Sequence, residues 1–298
     1  QEQQVPVGLI ELAVGGSPQI SWLDRLTIEA HPLFEPALHD WRHSDYIMEW
    51  CRQRAAVNLK NAESPYQRHP YDPCFNFEAG VARITQFPIK GVIWYQGASD
   101  AENAELYGKL FPVLVKDWRD AWGYDFPFYY VQLSSIDRPS WNYFRDTQRK
   151  LLKIVPHTGM VVTSDLGDPT NVHYTDKKPV GLRLARLALH DSYGKKDVVP
   201  GGPLVTAAIR KGSQIEITFS ENKGLTTADG KPLQGFKIIN GSGYLVPATA
   251  KIREDKVYIS IPEKQAIKKV VYGWKPFTRA NLVNGARLPA STFMISVK

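Results

Sequence analysis

The hydrophobic pattern of the chain changes period at about Val199, and no single layer architecture accommodates both halves. Upstream, compact apolar runs alternate with segments of helical periodicity. Downstream, short runs alternate apolar and polar every second residue: Gln214-Ile-Glu-Ile-Thr-Phe219, Phe236-Lys-Ile-Ile239, Lys256-Val-Tyr-Ile-Ser-Ile261 and Lys269-Val-Val-Tyr272. Turn signals such as Asp229-Gly230 and Asn240-Gly241 separate them. A length of 298 residues suits two domains. The pattern therefore predicts an α/β domain over residues 1–198 and an all-β domain, a sandwich, over residues 199–298.

Within the first part, Val5 to Leu12 reads as a buried strand running into the turn Gly15-Gly16-Ser17-Pro18. A mixed stretch over residues 24–76 contains helix-like pieces from Ser44 to Leu59 and a Pro/Tyr/His-rich loop from Ser64 to Pro73. Ile89 to Tyr95, Pro127 to Leu133 and Met160 to Thr163 read as strands. Helices are predicted over Ala101 to Trp122, from Ser140 through Leu152, and over Lys177 to Ser192. Strand-loop-helix alternation of this kind builds a mainly parallel sheet, which binds ligands at the carboxyl ends of its strands. Those ends carry Gly15-Gly16-Ser17, Gln96-Gly97-Ala98-Ser99-Asp100, Ser134-Ser135 and Asp165-Leu-Gly-Asp168.

The composition, 43% hydrophobic and 22% charged, is that of a folded protein. The net charge of +7 comes from scattered residues, with no run of five or more, so it reads as solvated surface with a lean towards an acidic substrate. No nucleic-acid motif and no apolar stretch of membrane-spanning length occurs, so neither nucleic acid nor membrane is an expected partner. No His-Glu-x-x-His, Cys-x-x-Cys, phosphate loop or dinucleotide fingerprint occurs, and no metal or cofactor is expected. Cys51 and Cys74 lie in one irregular segment, as a disulfide or as two free thiols.

Ester hydrolysis needs an activated hydroxyl, an oriented base and donors facing the developing oxyanion. The Gly16 and Gly97 turns can offer backbone N–H donors where glycine permits close approach, or they can simply turn the chain. His173 is the best-placed base, in a loop after a strand and before a helix, with Asp168 close by to orient it; the alternative is an ordinary surface histidine.

Four segments together carry a resemblance. Pro6-Val-Gly-Leu-Ile…Gly15-Gly16-Ser17…Trp22, Ile89-Lys-Gly-Val-Ile-Trp-Tyr-Gln-Gly97, Asp165-Leu-Gly-Asp-Pro…His173…Lys177 and Tyr272-Gly-Trp…Asn281…Ser291 are similar, in order and spacing, to blocks of the sialate O-acetylesterase family. Phe77 to Gly80 and Ser134 to Trp141 look most like its Bacteroidetes versions. The resemblance implies a three-layer SGNH-hydrolase (flavodoxin-like) α/β sandwich, amino-terminally incomplete, and a secreted or periplasmic enzyme that removes acetyl groups from O-acetylated sialic acids. It implies His173 as general base, Asp168 or Asp165 as its orienting acid, Gly16 and Gly97 as oxyanion donors, and Trp22, Tyr95 and Gln96 lining the pocket.

The family's Gly-Gln-Ser-Asn block, which carries the nucleophilic serine, belongs upstream of Val5, and Gln1 to Gln4 reads as the tail of the helix before it. The serine is thus expected on a separate or preceding segment. Ala98 and Asp100 stand where the family usually has Glu and Asn, which points to reduced or altered activity. The alternatives are a catalytically inactive, carbohydrate-binding member, or an acetylesterase acting on another glycan such as xylan.

Overall fold

A computed structural model describes residues 6–298; Val5 and the stretch Gln1 to Gln4 lie outside the described residues. In chain order, short helices α1 (Arg25–Glu29), α2 (Glu49–Asn58) and α3 (Phe75–Ala79) precede the first strand. Then come β1 (Val92–Trp94), α4 (Ala104–Trp122), β2 (Phe128–Gln132), α5 (Trp141–Leu151), β3 (Thr158–Val162) and α6 (Lys178–Asp191). The three strands form a parallel sheet in the order β1-β2-β3.

The side-chain alternation of β2 explains the layers. Phe128 and Tyr130 join Leu110, Phe111, Leu114 and Phe144 from α4 and α5 in one core. Tyr129 and Val131 face the other way and pack with Val180, Leu184 and Leu187 of α6. All five residues of β2 are therefore buried, as expected of a central parallel strand covered by helices on both faces. Helix α4 starts under an Asn103 cap, whose Oδ1 accepts from the Leu106 N–H at 3.0 Å, and stops at Gly123 with φ +75°. It carries Pro112 in its interior. The proline ring faces the carbonyl of Gly108 four residues earlier, and Gly108 also lets α5 approach: a Cβ there would lie 3.0 Å from Thr147.

The segment from Pro6 to Leu12 departs from the expected buried strand. It forms no strand among the described residues, and its apolar side chains face outward, Leu9 at 84% exposure. An alternating apolar run is buried only where a sheet accepts it, and the edge of β1, with Ile93 also exposed, has no partner among the described residues on its open side.

The remaining strands, β4 (Leu204–Lys211), β5 (Gln214–Ser220), β6 (Thr226–Thr227), β7 (Phe236–Asn240), β8 (Leu245–Pro247), β9 (Ala250–Arg253), β10 (Lys256–Ser260), β11 (Ile267–Tyr272), β12 (Leu282–Val283) and β13 (Phe293–Ser296), build two antiparallel sheets, β4-β5-β10-β9 and β13-β11-β7-β8, with a small β12-β6 pair. They enclose a second core that includes Ile217, Phe236, Val257, Val270 and Phe293. Arg145 of α5 links the two parts. Wholly buried, it donates to the carbonyls of Gly273 (3.2 Å), Lys275 (2.5 Å) and Pro276 (3.1 Å) and to Ser135 Oγ (3.2 Å). Burial pushes the guanidinium down to about 9, which still leaves it charged at neutral pH.

Candidate active site

The carboxyl edge of the sheet gathers three loops. The first is the turn around Gly16. Ser17 closes it by donating N–H (3.2 Å) and Oγ–H (2.8 Å) to the Val14 carbonyl. Gly16 adopts φ +76°, and a Cβ there would meet the Tyr71 hydroxyl at 2.4 Å, so the position requires glycine.

The second loop leaves β1. Gly97 takes φ +139°, with the Phe144 ring 2.5 Å from where a Cβ would stand. Ser99 Oγ donates to the Gly16 carbonyl at 2.8 Å, Gln96 Nε2 donates to the Ser17 carbonyl at 3.1 Å, and the Gln19 N–H donates to the Asp100 carboxylate at 3.1 Å. The two glycine turns are thus knit into one unit. The N–H groups of Gly16 and Gly97 find no acceptor among the described residues. Asp100 accepts from Gln96 and Gln19 but makes no ion pair among the described residues, and burial pushes its carboxyl up to about 6 despite those bonds.

The third loop follows β3. Its base is fixed to the loop after β2: the Ser135 N–H donates to the Leu166 carbonyl at 3.0 Å, and Gly167 packs against the Ser135 backbone. Asp168 Oδ1 accepts from the N–H groups of Thr170 and Asn171, both at 2.8 Å, and from the Thr170 hydroxyl. Those bonds hold its carboxyl below the usual range. Asn171 Oδ1 in turn accepts from the His173 N–H at 2.8 Å. His173 is exposed, and its imidazole has no hydrogen-bond partner among the described residues. Neither expected orienting acid reaches it. Asp168 caps its own loop, and Asp165 is held by Arg183 in two bonds of 2.7 and 2.6 Å.

The pocket residues separate by depth. Tyr95 is exposed at the rim, and its hydroxyl meets that of Tyr174 at 3.0 Å, across the end of β2. Gln96 spends its amide nitrogen on the Gly16 unit, while its Oε1 is buried without a partner. Trp22 lies in the core beneath the loops. It is 4% exposed, packs edge-on against Trp94 and donates Nε1–H to Ser17 Oγ at 2.9 Å, so it supports the glycine turn from beneath. An indole this large is held by the apolar core once the turn above it closes.

Sequence reasoning did not single out Tyr174 and Lys177. The Lys177 ammonium stands 3.4 Å from the centroid of the Tyr174 ring and 5.2 Å from that of Tyr95, and burial lowers its basicity. Their signal was proximity to His173 alone. A cavity of about 310 Å³, lined by Phe34, Tyr46, Arg52, Asp100 and Tyr107, opens on the far side of the second loop; its lining includes neither His173 nor either glycine. Cys51 and Cys74 are free, buried thiols, each pushed up to about 12 by burial.

A family model described as "carbohydrate esterase, sialic acid-specific acetylesterase" matches residues 1–190. The chain belongs to that family. Among curated members it is similar to sialate O-acetylesterase of Mus musculus, 29% identical over 67% of this chain and 42% of the relative. It is also similar to the Homo sapiens enzyme of that name, 27% identical over 74% of this chain and 44% of the relative. Among solved structures, a carbohydrate acetylesterase from Xanthomonas citri matches with a TM-score of 0.71 at 29% identity, over 94% of this chain and 59% of that one. The chain spans less than half the length of the curated family members it matches.

Proposed function

We propose that this family member forms the base- and oxyanion-bearing part of an SGNH-type serine esterase that releases acetyl groups from O-acetylated sialic acids. The observation that carries the reading is the joined pair of glycine turns, each with an open N–H, at the same sheet edge as His173. Two convergent N–H donors stabilise the tetrahedral oxyanion of acyl transfer, and an exposed, unengaged imidazole is free to take a proton from an incoming hydroxyl.

The serine belongs to a Gly-Gln-Ser-Asn segment outside these 298 residues. On this reading the apolar residues of Pro6 to Leu12 are a strand that pairs in a wider sheet once that segment is present. Asp168 orients His173 in the completed site, which requires its carboxylate to leave the N–H groups of Thr170 and Asn171. Secretion or periplasmic location belongs to the same reading; no helix among the described residues is long and apolar enough to cross a membrane.

The inactive, carbohydrate-binding reading has one observation in its favour: both candidate acids are engaged elsewhere. One experiment separates the two. In the protein carrying this chain together with the serine-bearing segment, His173→Ala lowers acetyl release from O-acetylated N-acetylneuraminic acid by about 10³-fold, in line with general-base catalysis, with an unchanged circular dichroism spectrum. Near-normal turnover of the variant rejects His173 as the general base, and no turnover in the parent rejects the esterase assignment.

A further inference from the structure

The strand-to-strand connection Gly273 to Ala280 belongs to the β-rich part of the chain, yet it is fastened to the sheet edge that bears the candidate site. Three of its carbonyls, those of Gly273, Lys275 and Pro276, are gripped by Arg145. The Thr278 N–H donates to Ser135 Oγ at 3.3 Å, and the same hydroxyl donates to the Ser164 carbonyl at 2.5 Å, at the exit of β3. Ser135 and Gly167 are bridged, so the connection stands beside the loop that runs on to Asp168 and His173. It carries exposed Arg279, whose guanidinium lies 4.1 Å from the Phe277 ring centroid, and buried Trp274, packed against Tyr143 at 5.0 Å.

Arg279 makes no ion pair and no side-chain hydrogen bond among the described residues. Stacking on Phe277 holds its plane while leaving its fork of N–H donors open. Its charge reaches Asp168 and contributes to holding that carboxyl low. Lys177, which follows His173 in the same loop, is seated on the Tyr174 and Tyr95 rings and offers a point charge, not a planar fork.

We propose that the Trp274–Arg279 connection forms one wall of the substrate site and that Arg279 binds the carboxylate of an acidic acetylated sugar through two parallel N–H···O bonds. The β-rich part would then set preference for the sugar while the α/β part performs acyl transfer. This rests on the esterase reading above and deepens it, since the carboxylate could belong to a sialic acid or to a uronic acid of another acetylated glycan.

The test compares kcat/KM for three esters in the protein that includes the serine-bearing segment: O-acetylated N-acetylneuraminic acid, an acetylated glucuronic acid and a neutral acetylated xylose. Arg279→Gln is expected to cut the ratio of acidic to neutral turnover about tenfold or more, the loss expected for a charge-assisted bidentate pair. Arg279→Lys should recover only part of it. The control Lys264→Gln, which removes an equal charge from the exposed turn before β11, should leave the ratio at its parent value. The acidic ester whose ratio collapses identifies the source of the carboxylate. An unchanged ratio in Arg279→Gln, an equal fall in Lys264→Gln, or no acidic preference in the parent overturns the proposal while esterase activity stands. A parent that releases acetate from none of the three overturns the esterase reading and the inference with it.

Discussion

Asp100 shows how one atom's difference can alter a site's energetics. Where an amide would hydrogen-bond at no charge cost, the carboxylate is desolvated, and its folded pKa rises from an ordinary 3.8 to about 6. The folded state then binds the proton more tightly than the unfolded chain does, so stability falls as pH rises from about 4 to about 6 and stays lower above that. The penalty is at most about 3 kcal/mol, from roughly two pH units at 1.36 kcal/mol each. Asp100→Asn keeps an acceptor oxygen for the Gln19 N–H, and its new amide can donate to Gln96 Oε1, now unpartnered. The variant should gain about 1–2 kcal/mol at pH 8 and nothing near pH 4. Thermal unfolding across that range measures this, and a pH-independent difference would show that Asp100 is solvated. That position 100 carries a carboxylate was legible in the sequence. That no cation among the described residues pairs with it is decided by the fold.

At the scale of elements, the glycines of the two turns were visible as Gly15-Gly16 and Gln96-Gly97, but the sequence did not distinguish which of them the backbone requires. Gly15 has open space where a Cβ would go, whereas Gly16 and Gly97 combine positive φ with a close neighbour. Gly15→Ala should therefore change stability by less than about 0.5 kcal/mol. Gly97→Ala, which meets the Phe144 ring and a disfavoured φ, should cost about 2 kcal/mol or more. Denaturant titration of the pair would falsify this account if the two costs were alike. The helices were legible because a stripe such as Leu110, Leu114 and Trp118 recurs at helical spacing, and their ends carry recognisable signals in Asn103 and Gly123. The segment Pro6 to Leu12 failed as a buried strand because periodicity states what a strand could bury, while pairing depends on a neighbour that must come from elsewhere.

Across the whole molecule the two parts are joined through Arg145, a buried cation that makes no ion pair among the described residues. Arg145 satisfies three carbonyls of the Gly273 to Pro276 turn, so Arg145→Gln would leave several buried acceptors unpaired and should cost about 2–4 kcal/mol. Amide exchange should then increase first at Thr278 and Met294, whose N–H groups donate to Ser135 Oγ and Asp146 Oδ1 across the junction. Unchanged protection at both would mean that apolar contact alone holds the parts together. Period was enough to read the strand and helix alternation from β1 to α6 and the β-rich pattern from β4 onwards, because hydrophobic spacing is local and each element must bury one face. Local pattern also marked Gly16, Gly97 and His173 as residues of interest. It could not place Trp22 beneath the turn, engage Asp165 with Arg183 and Asp168 with its own loop, or fasten Thr278 from a hundred residues downstream to Ser135 at the sheet edge. Those arrangements join residues far apart in the chain, and only the packed molecule decides which of the many polar groups at a sheet edge find partners and which are left open for a substrate.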